Sequence, residues 1–574
     1  MPQERISGRF ARFSLGRHLP VVDLPLPLLN LGVALWLLAA LNVPFWRSLW
    51  MATQGWDPTR AVYLLSLPVF VVVWVWLLLE CLTWGRAAKP VLGVLLVLSA
   101  AAAYYMSAYG VVFDRAMITN IVETDPAEAA ELLNARMVGW LLFLGIAPLG
   151  LLARARVRRH GWRRQILVKA TTIGVLICAI AVLVAPSFQS YAALLRNHRE
   201  LRLSLVPANY LAAAHSYLRT QLSTPDRLEA VTNDAKRALA PEPGAKPTLT
   251  VLVIGETARA ANFQLNGYSR PTTPRLAAET DLIHFRDVSS CGTSTAVSLP
   301  CMFLDVGRSG FSDTLARRRE NLLDALQRAG FDVLWRDNNS GCKGICDRAP
   351  SEDLTRAVDP ALCGSGECYD EVLLTGLQDK LDAFKRDTVI VLHMKGSHGP
   401  AYHLRYPPAF ERFKPVCRDA QFDRCERQAI VNAYDNTLLY TDYVISRTIE
   451  LLRRNSNRFT TSLVYVSDHG ESLGERGLYL HGVPYALAPA EQTHVPLLMW
   501  FSAEAQKRFG VDMACLRHKE GTPASHDNLY HSTLGLLEVQ TRVYRPDRDL
   551  FRSCRTREWE LEARAEQPRR VVLQ

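Results

Sequence analysis

Apolar residues run almost unbroken through five stretches in the first third of the chain: about Leu24–Trp46, Ala61–Leu82, Pro90–Tyr109, Val138–Ala153 and Ile166–Pro186. Each approaches the ~20 residues an α-helix needs to cross a bilayer, so the pattern predicts five transmembrane helices. The first is too long for a cleavable signal peptide and lacks a clear small-residue cleavage site. Residues Ser187–Ser223 then mix apolar and basic positions at helical spacing, among them Tyr191, Leu194, Leu195, Leu201 and Leu205. That suits helices lying on the membrane surface as well as an ordinary packed connector. The run APEPGAKP, Ala240–Pro247, reads as a linker. From Thr248 the period changes. TLTVLVIGE, FDVLW, DTVIVLHMKGSHG, TSLVYVSDHGE and HVPLLMWF read as buried strands, and NLLDALQRAG as an amphipathic helix. Continuous apolar strands between helices argue for a mainly parallel sheet covered on both faces. The expected architecture is an N-terminal five-helix transmembrane bundle (1–186), bridging helices and linker (187–247) and a C-terminal α/β domain (248–574).

Charge orients this arrangement. The N-terminal segment holds Arg5, Arg9, Arg12 and Arg17, the connection after the second run Arg86 and Lys89, and that after the fourth Arg154, Arg156, Arg158, Arg159, Arg163 and Arg164. The connection after the third run is acidic, with Asp114, Glu123, Asp125, Glu128 and Glu131 against Arg115 and Arg136. Cytoplasmic loops are the basic ones, which puts the N-terminus inside and everything after the fifth run outside, in the periplasm of a Gram-negative cell. The net charge of +10 sits largely in these short loops and reads as a topology signal; no nucleic-acid partner is expected.

Cysteine usage agrees. Of 12 cysteines, Cys81 and Cys178 fall in apolar runs and ten lie beyond them. Close spacing suggests the pairs Cys291–Cys301, Cys342–Cys346, Cys363–Cys368 and Cys417–Cys425 as disulfides of an oxidising compartment; the pairing of Cys515 and Cys554 is left open. Structural zinc is the competing reading of the short gaps, but no paired CxxC knuckle occurs.

Ligands of parallel α/β sheets bind beyond the carboxyl ends of strands. Glu256 follows the strand in VIGET, and Asp468 and His469 follow another in VYVSDHGES, with His398 and His481 in Gly-flanked loops. Mixed carboxylate and imidazole ligands suit zinc; the same types also cap helices and form salt bridges. A nucleophilic hydroxyl is available in SSCGTSTAVSLPC, where Ser289, Ser290, Thr293, Ser294, Thr295 and Ser298 all compete. The segment also reads as a capped helix N-terminus, itself a phosphate site.

The stretches FDRAMITNIVETDPAEA, VIGETARAANFQLNGYSRPTTP, CGTSTAVSLPCMF, SGCKGICDR, GSHGPAYHLRYP, YDNTLLYTDYVI and SDHGESLGERGLYLHGVPYALAP give the chain a resemblance to the phosphoethanolamine transferases of the alkaline phosphatase superfamily. These include lipid A modifiers and the mobile colistin resistance enzymes. The resemblance covers nearly the whole chain. It implies an alkaline-phosphatase/sulfatase-like soluble domain and Thr293 as nucleophile. Glu256, Thr293, Asp468 and His469 would surround a principal zinc, and a second zinc is left open. His398 and His481 would contact the substrate phosphate or bind that second zinc, either of them serving as general acid. Ser340 and Lys343 would hold the donor head group, with Asn120 and Glu128 near its ethanolamine.

The implied reaction moves phosphoethanolamine from phosphatidylethanolamine to a lipid A phosphate through a phosphoethanolamine-threonine intermediate, in a monomer of the inner membrane. Reduced binding of polymyxin follows for the family. An inner-core Kdo or heptose is the alternative acceptor. A sulfatase would carry C/S-x-P-x-R, which CGTSTAVSLPC lacks. A phosphoglycerol transferase is not expected to share the paired cysteines, and a catalytically inactive scaffold would be expected to have lost a ligand.

Overall fold

A computed structural model describes residues 23–53, 61–123, 126–158, 161–198, 200–222, 227–238, 244–357, 359–364 and 367–555. Two compact units divide the chain: Met1–Tyr104 with Arg136–Ala208, and Tyr105–Ala135 with Asn209–Gln574. The acidic connection after the third apolar run therefore belongs to the α/β unit, and the bridging region is split at Ala208.

Among the described residues of the first unit, four helices are long and apolar enough to cross a membrane: Ala61–Leu82, Gly85–Tyr109, whose last turn passes into the second unit, Ala135–Arg154 and Trp162–Asn197. The first apolar run differs from the expected straight span. It forms Leu26–Ala40 and Val43–Ala52, bent by 70°. The break has a side-chain cause. Fully buried Asn42 donates its amide to the carbonyls of Leu37 (2.9 Å) and Val206 (3.0 Å) and accepts from the Val206 N–H (2.9 Å). Pro44, in the first turn of the second helix, tolerates the break because that turn has no amide partner to lose.

The second unit is built on a seven-stranded sheet. Its strands are β1 Thr248–Gly255, β2 Leu282–Phe285, β3 Asp332–Asp337, β4 Ser351–Asp353, β5 Thr388–His393, β6 Thr460–Ser467 and β7 Leu497–Phe501, in the order β2-β7-β6-β1-β5-β3-β4. The sheet is mixed: β6-β1-β5-β3-β4 are parallel, whereas β7 runs antiparallel to both β6 and β2. HVPLLMWF was legible as a strand, but its direction is set by pairing: residues 468–496, which join it to β6, hold no α-helix longer than the single turn Ala490–Thr493, and the strand returns antiparallel.

Both faces are covered, which is why β1 is buried throughout and is apolar at Leu249 and from Val251 to Ile254. Leu252 and Ile254 point into a core with Leu322, Leu326, Leu529 and Leu534, whose residues belong to the helices Leu322–Arg328 and Asp527–Leu536. The long helix Arg427–Arg454 packs against β1 and β6. Five disulfides join Cys291–Cys301, Cys342–Cys346, Cys363–Cys368, Cys417–Cys425 and Cys515–Cys554, and Cys81 and Cys178 are free.

Candidate active site

Strand register builds the centre of the site. Gly255 of β1 pairs with Ser467 of β6, so the next residues, Glu256 and Asp468, emerge side by side, and His469 follows. All three are fully buried. His469 Nε2 stands 3.2 Å from Glu256 Oε1 and 3.3 Å from Asp468 Oδ2. Its Nδ1 is 2.9 Å from the Gly470 carbonyl. That bond places the Nδ1 proton and leaves Nε2 to face the carboxylates, the arrangement of metal-binding histidines.

The same trio has ligand atoms within 4.8 Å of one another. Glu256 Oε1 and Asp468 Oδ2 are buried with only the shared His469 Nε2 beside them, a costly state unless a cation compensates. Burial and the Glu256 charge push the Asp468 carboxyl up to about 7. Burial opposes the His469 cation, but Asp468 and Glu256 together lift it to about 10. For Glu256, burial is outweighed by the hydrogen bond and charge of His469, which hold it well below the usual range. The field at this point draws in positive charge, and the donor set fits a metal ion.

The nucleophile loop brings Thr295, rather than the expected Thr293, to this trio. Thr293 turns its hydroxyl away and donates to the Val483 carbonyl at 2.7 Å. Thr295 instead donates to Glu256 Oε2 at 2.8 Å and lies 3.4 Å from His469 Nε2. The reason is local geometry. Ser294 is extended (φ −153°, ψ 151°), and Thr295 opens the helix Thr295–Met302. The side chain two residues after Thr293 is thereby brought over the strand ends.

His398 and His481 reach the same place. The His481 ring lies 4.4 Å from that of His469 and 5.3 Å from that of His398, centroid to centroid. Burial depresses His398 well below its ordinary value. His481 Nδ1 is 3.4 Å from Glu471 Oε1. The His398 loop is held by backbone. Ser397 N–H donates to the Glu256 carbonyl at 2.9 Å, and a Cβ on Gly396 (φ 55°) would meet that oxygen at 2.6 Å, so only glycine fits.

The connection 105–135 closes one side of the unit. Asn120 lies on the helix Arg115–Glu123, close enough for its amide nitrogen to meet a Cβ built on Gly482 at 3.7 Å. Glu123 pairs with Lys343 at 3.7 Å, whose ammonium also donates to the Ser340 carbonyl at 2.9 Å. Asn120, Ser340 and Lys343 thus line one region, whereas the Glu128 side chain lies outside the described residues.

Residues 70–222 match the family described as phosphoethanolamine transferase EptA/EptB, and residues 248–539 match the sulfatase family. Phosphoethanolamine transferase EptA of Escherichia coli K12 is 42% identical over 92% of this chain and 98% of its own length. The chain belongs to the phosphoethanolamine transferase family. Phosphatidylethanolamine transferase Mcr-1 of Escherichia coli is 37% identical over 88% of this chain and 94% of its own. The solved integral membrane lipooligosaccharide phosphoethanolamine transferase A of Neisseria meningitidis superposes with a TM-score of 0.89 at 35% identity, covering 93% of this chain and 99% of that one.

Several residues of the transferase site escaped the sequence reading. Asn339, just beyond β3, donates to Glu256 Oε2 at 2.7 Å and to the Met394 carbonyl at 3.0 Å. His393 and Asp337, on neighbouring strands, pair at 2.9 Å behind it. His526 accepts from the Cys291 N–H at 3.0 Å and donates to the Ser467 carbonyl at 2.9 Å, tying the nucleophile loop to β6. For Asn339, its place at a strand end was the available signal; for His526 the sequence offers none.

Proposed function

We propose that the transferase moves phosphoethanolamine from phosphatidylethanolamine onto a phosphate of lipid A, with Thr295 as the covalent carrier and zinc at Glu256, Asp468 and His469. The observation that carries this reading is the Thr295 hydroxyl, 2.8 Å from Glu256 at the opening of a helix beside the buried ligand trio. A helix N-terminus favours phosphate, and two carboxylates with one imidazole suit zinc with an open position. A zinc bound there supplies Lewis acidity, easing ionisation of the threonine hydroxyl and polarising a phosphoryl oxygen.

The chain's own groups do the rest. Glu256 Oε2 orients the Thr295 hydroxyl, and Asn339 fixes that oxygen. Thr295 Oγ1 forms a bond to phosphorus as the bond from phosphorus to the diacylglycerol oxygen breaks. The hydroxyl proton is lost to solvent or base, and the departing oxygen takes one from His398 or His481. A lipid A phosphate oxygen then attacks the same phosphorus and Thr295 leaves. Lys343, Ser340 and Asn120 suit the donor head group. Lipid substrates explain the tie to the inner membrane. There the bent helix pair counts as one span of five, the N-terminus is cytoplasmic and the α/β unit periplasmic.

The added amine offsets phosphate charge, so polymyxin binds more weakly to the product. A second acceptor is favoured by one comparison: the Escherichia coli Kdo(2)-lipid A phosphoethanolamine 7''-transferase is 29% identical over 84% of this chain, which keeps an inner-core sugar in view. Mass spectrometry of lipid A from cells with and without the gene tests the proposal. Phosphoethanolamine on a lipid A phosphate is expected; its appearance on Kdo alone favours the second acceptor, and no added mass on either rejects the function.

A further inference from the structure

The basic loops of the membrane unit do more than repeat a topology signal. Residues 23–27, two connections and the helix ends around Glu80 and Gln165 surround one cavity of about 640 Å³. Its lining includes Arg86, Lys89, Arg156, Arg158 and Lys169 against the acids Asp23 and Glu80. Lys169 is spoken for: it is buried, pairs with Glu80 at 3.3 Å and donates to the Thr83 carbonyl. Asn30 completes that floor by donating to Glu80 Oε1 at 2.9 Å and to Thr83 Oγ1 at 2.8 Å. Among the described residues, no carboxylate lies in ion-pair range of Arg86, Arg156 or Arg158. The acids of the lining, Asp23 and Glu80, thus leave the charge of these three arginines unpaired within the described residues.

Depth narrows the occupant. The cavity lies where apolar helices end: at Glu80 near the close of Ala61–Leu82, at Arg156 just after Arg154, and at Gln165 and Lys169 in the opening turns of Trp162–Val184. Trp84, next in sequence to the lining residue Gly85, and Trp162, a turn before Gln165, have 52% and 69% of their surface exposed, as residues at the head-group level do. An ionisable pair buried among spans is costly and marks a site that uses it. Residues 156–157 also pair with residues 23–24 as a short parallel ladder, which fixes the arginines on the wall.

From this we infer that the cavity is a binding site for the head group of an anionic phospholipid, its phosphate held by Arg86, Arg156 and Arg158. The ligand is distinct from the zwitterionic donor, and every residue lining the site belongs to the membrane unit. A purely topological role predicts basic residues scattered on the loop surface; it gives no reason for their convergence on a cavity of head-group size.

Purified full-length protein in detergent, examined by native mass spectrometry with added short-chain phosphatidylglycerol, tests the inference. Phosphatidylcholine and inorganic phosphate serve as comparisons. Each cation near a membrane surface is worth about a factor of five in binding an anionic lipid. The Arg86→Gln/Arg156→Gln variant should therefore bind phosphatidylglycerol roughly 30-fold more weakly. It keeps Arg154, Arg158, Arg163 and Arg164 to hold the topology. Asp23→Asn removes a lining anion without touching the arginines and should tighten binding about fivefold. One phosphatidylglycerol per chain with these two opposite shifts supports the site. Equal affinity for phosphatidylcholine, displacement by inorganic phosphate at similar concentration, or no change in either variant overturns it. Should the arginine variant fail to insert, the Asp23→Asn comparison decides alone.

Discussion

Glu131 and Arg405 stand 274 residues apart in sequence and meet with both Glu131 oxygens 2.8 Å from one Arg405 nitrogen. Arg405 is buried, also contacts Glu367, and its Nε donates to the His398 carbonyl at 2.8 Å. The connection 105–135 is thereby linked through one guanidinium to the loop carrying a candidate proton donor.

Removing one partner of a buried pair leaves the other charge uncompensated, at a cost of about 3–5 kcal/mol in the dry limit, reduced here because Glu367 remains. Glu131→Gln should lower transfer by roughly tenfold, an effect of about 1.4 kcal/mol, and Glu131→Asp should restore part of it. Hydrogen exchange should show faster exchange across residues 115–123 in Glu131→Gln. Unchanged exchange and unchanged rate would remove the link.

A second prediction concerns pH. His531 is buried, with Nε2 3.0 Å from the Asp305 carbonyl and Nδ1 accepting the Arg545 N–H at 3.1 Å. A proton on Nδ1 destroys that acceptor, and burial depresses the imidazole to about 4. The folded value lies below the unfolded one of about 6.5, so this histidine's stabilisation is complete above pH ~6.5 and is lost as pH falls towards 4. The full effect is about 3 kcal/mol. Asp442, raised to about 7 by burial, acts in the opposite sense over pH 4–7, so the histidine must be isolated by substitution. The melting temperature of His531→Gln should fall less steeply than that of the parent between pH 6.5 and 4.5; parallel slopes would contradict the account.

The third concerns the metal. Asp468→Asn and His469→Gln each remove a ligand type from the trio within 4.8 Å. Both should lower zinc content, measured by elemental analysis after dialysis, and abolish transfer. Because Glu256 and Asp468 repel each other when the site holds no cation, chelation should lower the melting temperature of the parent more than that of Asp468→Asn. Equal loss in both would place the metal elsewhere.

The legible part of the site was its buried trio. Glu256, Asp468 and His469 each follow an apolar run directly, so residue type and strand end coincide on the sequence. The choice between Thr293 and Thr295 was not legible, because it turns on where the chain passes from extended backbone into helix, one residue before Thr295. Asn339 and His526 reach the site from other elements at 2.7–3.0 Å, and no local spacing announces such contacts. The first apolar run was recognisable as membrane-spanning in composition, while its bend depends on Asn42 meeting Val206, 164 residues away. The direction of β7 likewise emerges only from pairing.

The central claim is that Thr295 carries the phosphoethanolamine. Thr293→Ala forfeits only a hydrogen bond to the Val483 carbonyl, worth about 1 kcal/mol, and should stay active. Thr295→Ala should bind zinc but not transfer, and Thr295→Ser should retain part of the activity. The most direct measurement is peptide mass spectrometry of parent protein incubated with phosphatidylethanolamine and no acceptor. The account predicts phosphoethanolamine on Thr295 in the peptide spanning Cys291–Arg308, absent from Thr295→Ala; the label on Thr293, or full transfer by Thr295→Ala, would contradict it.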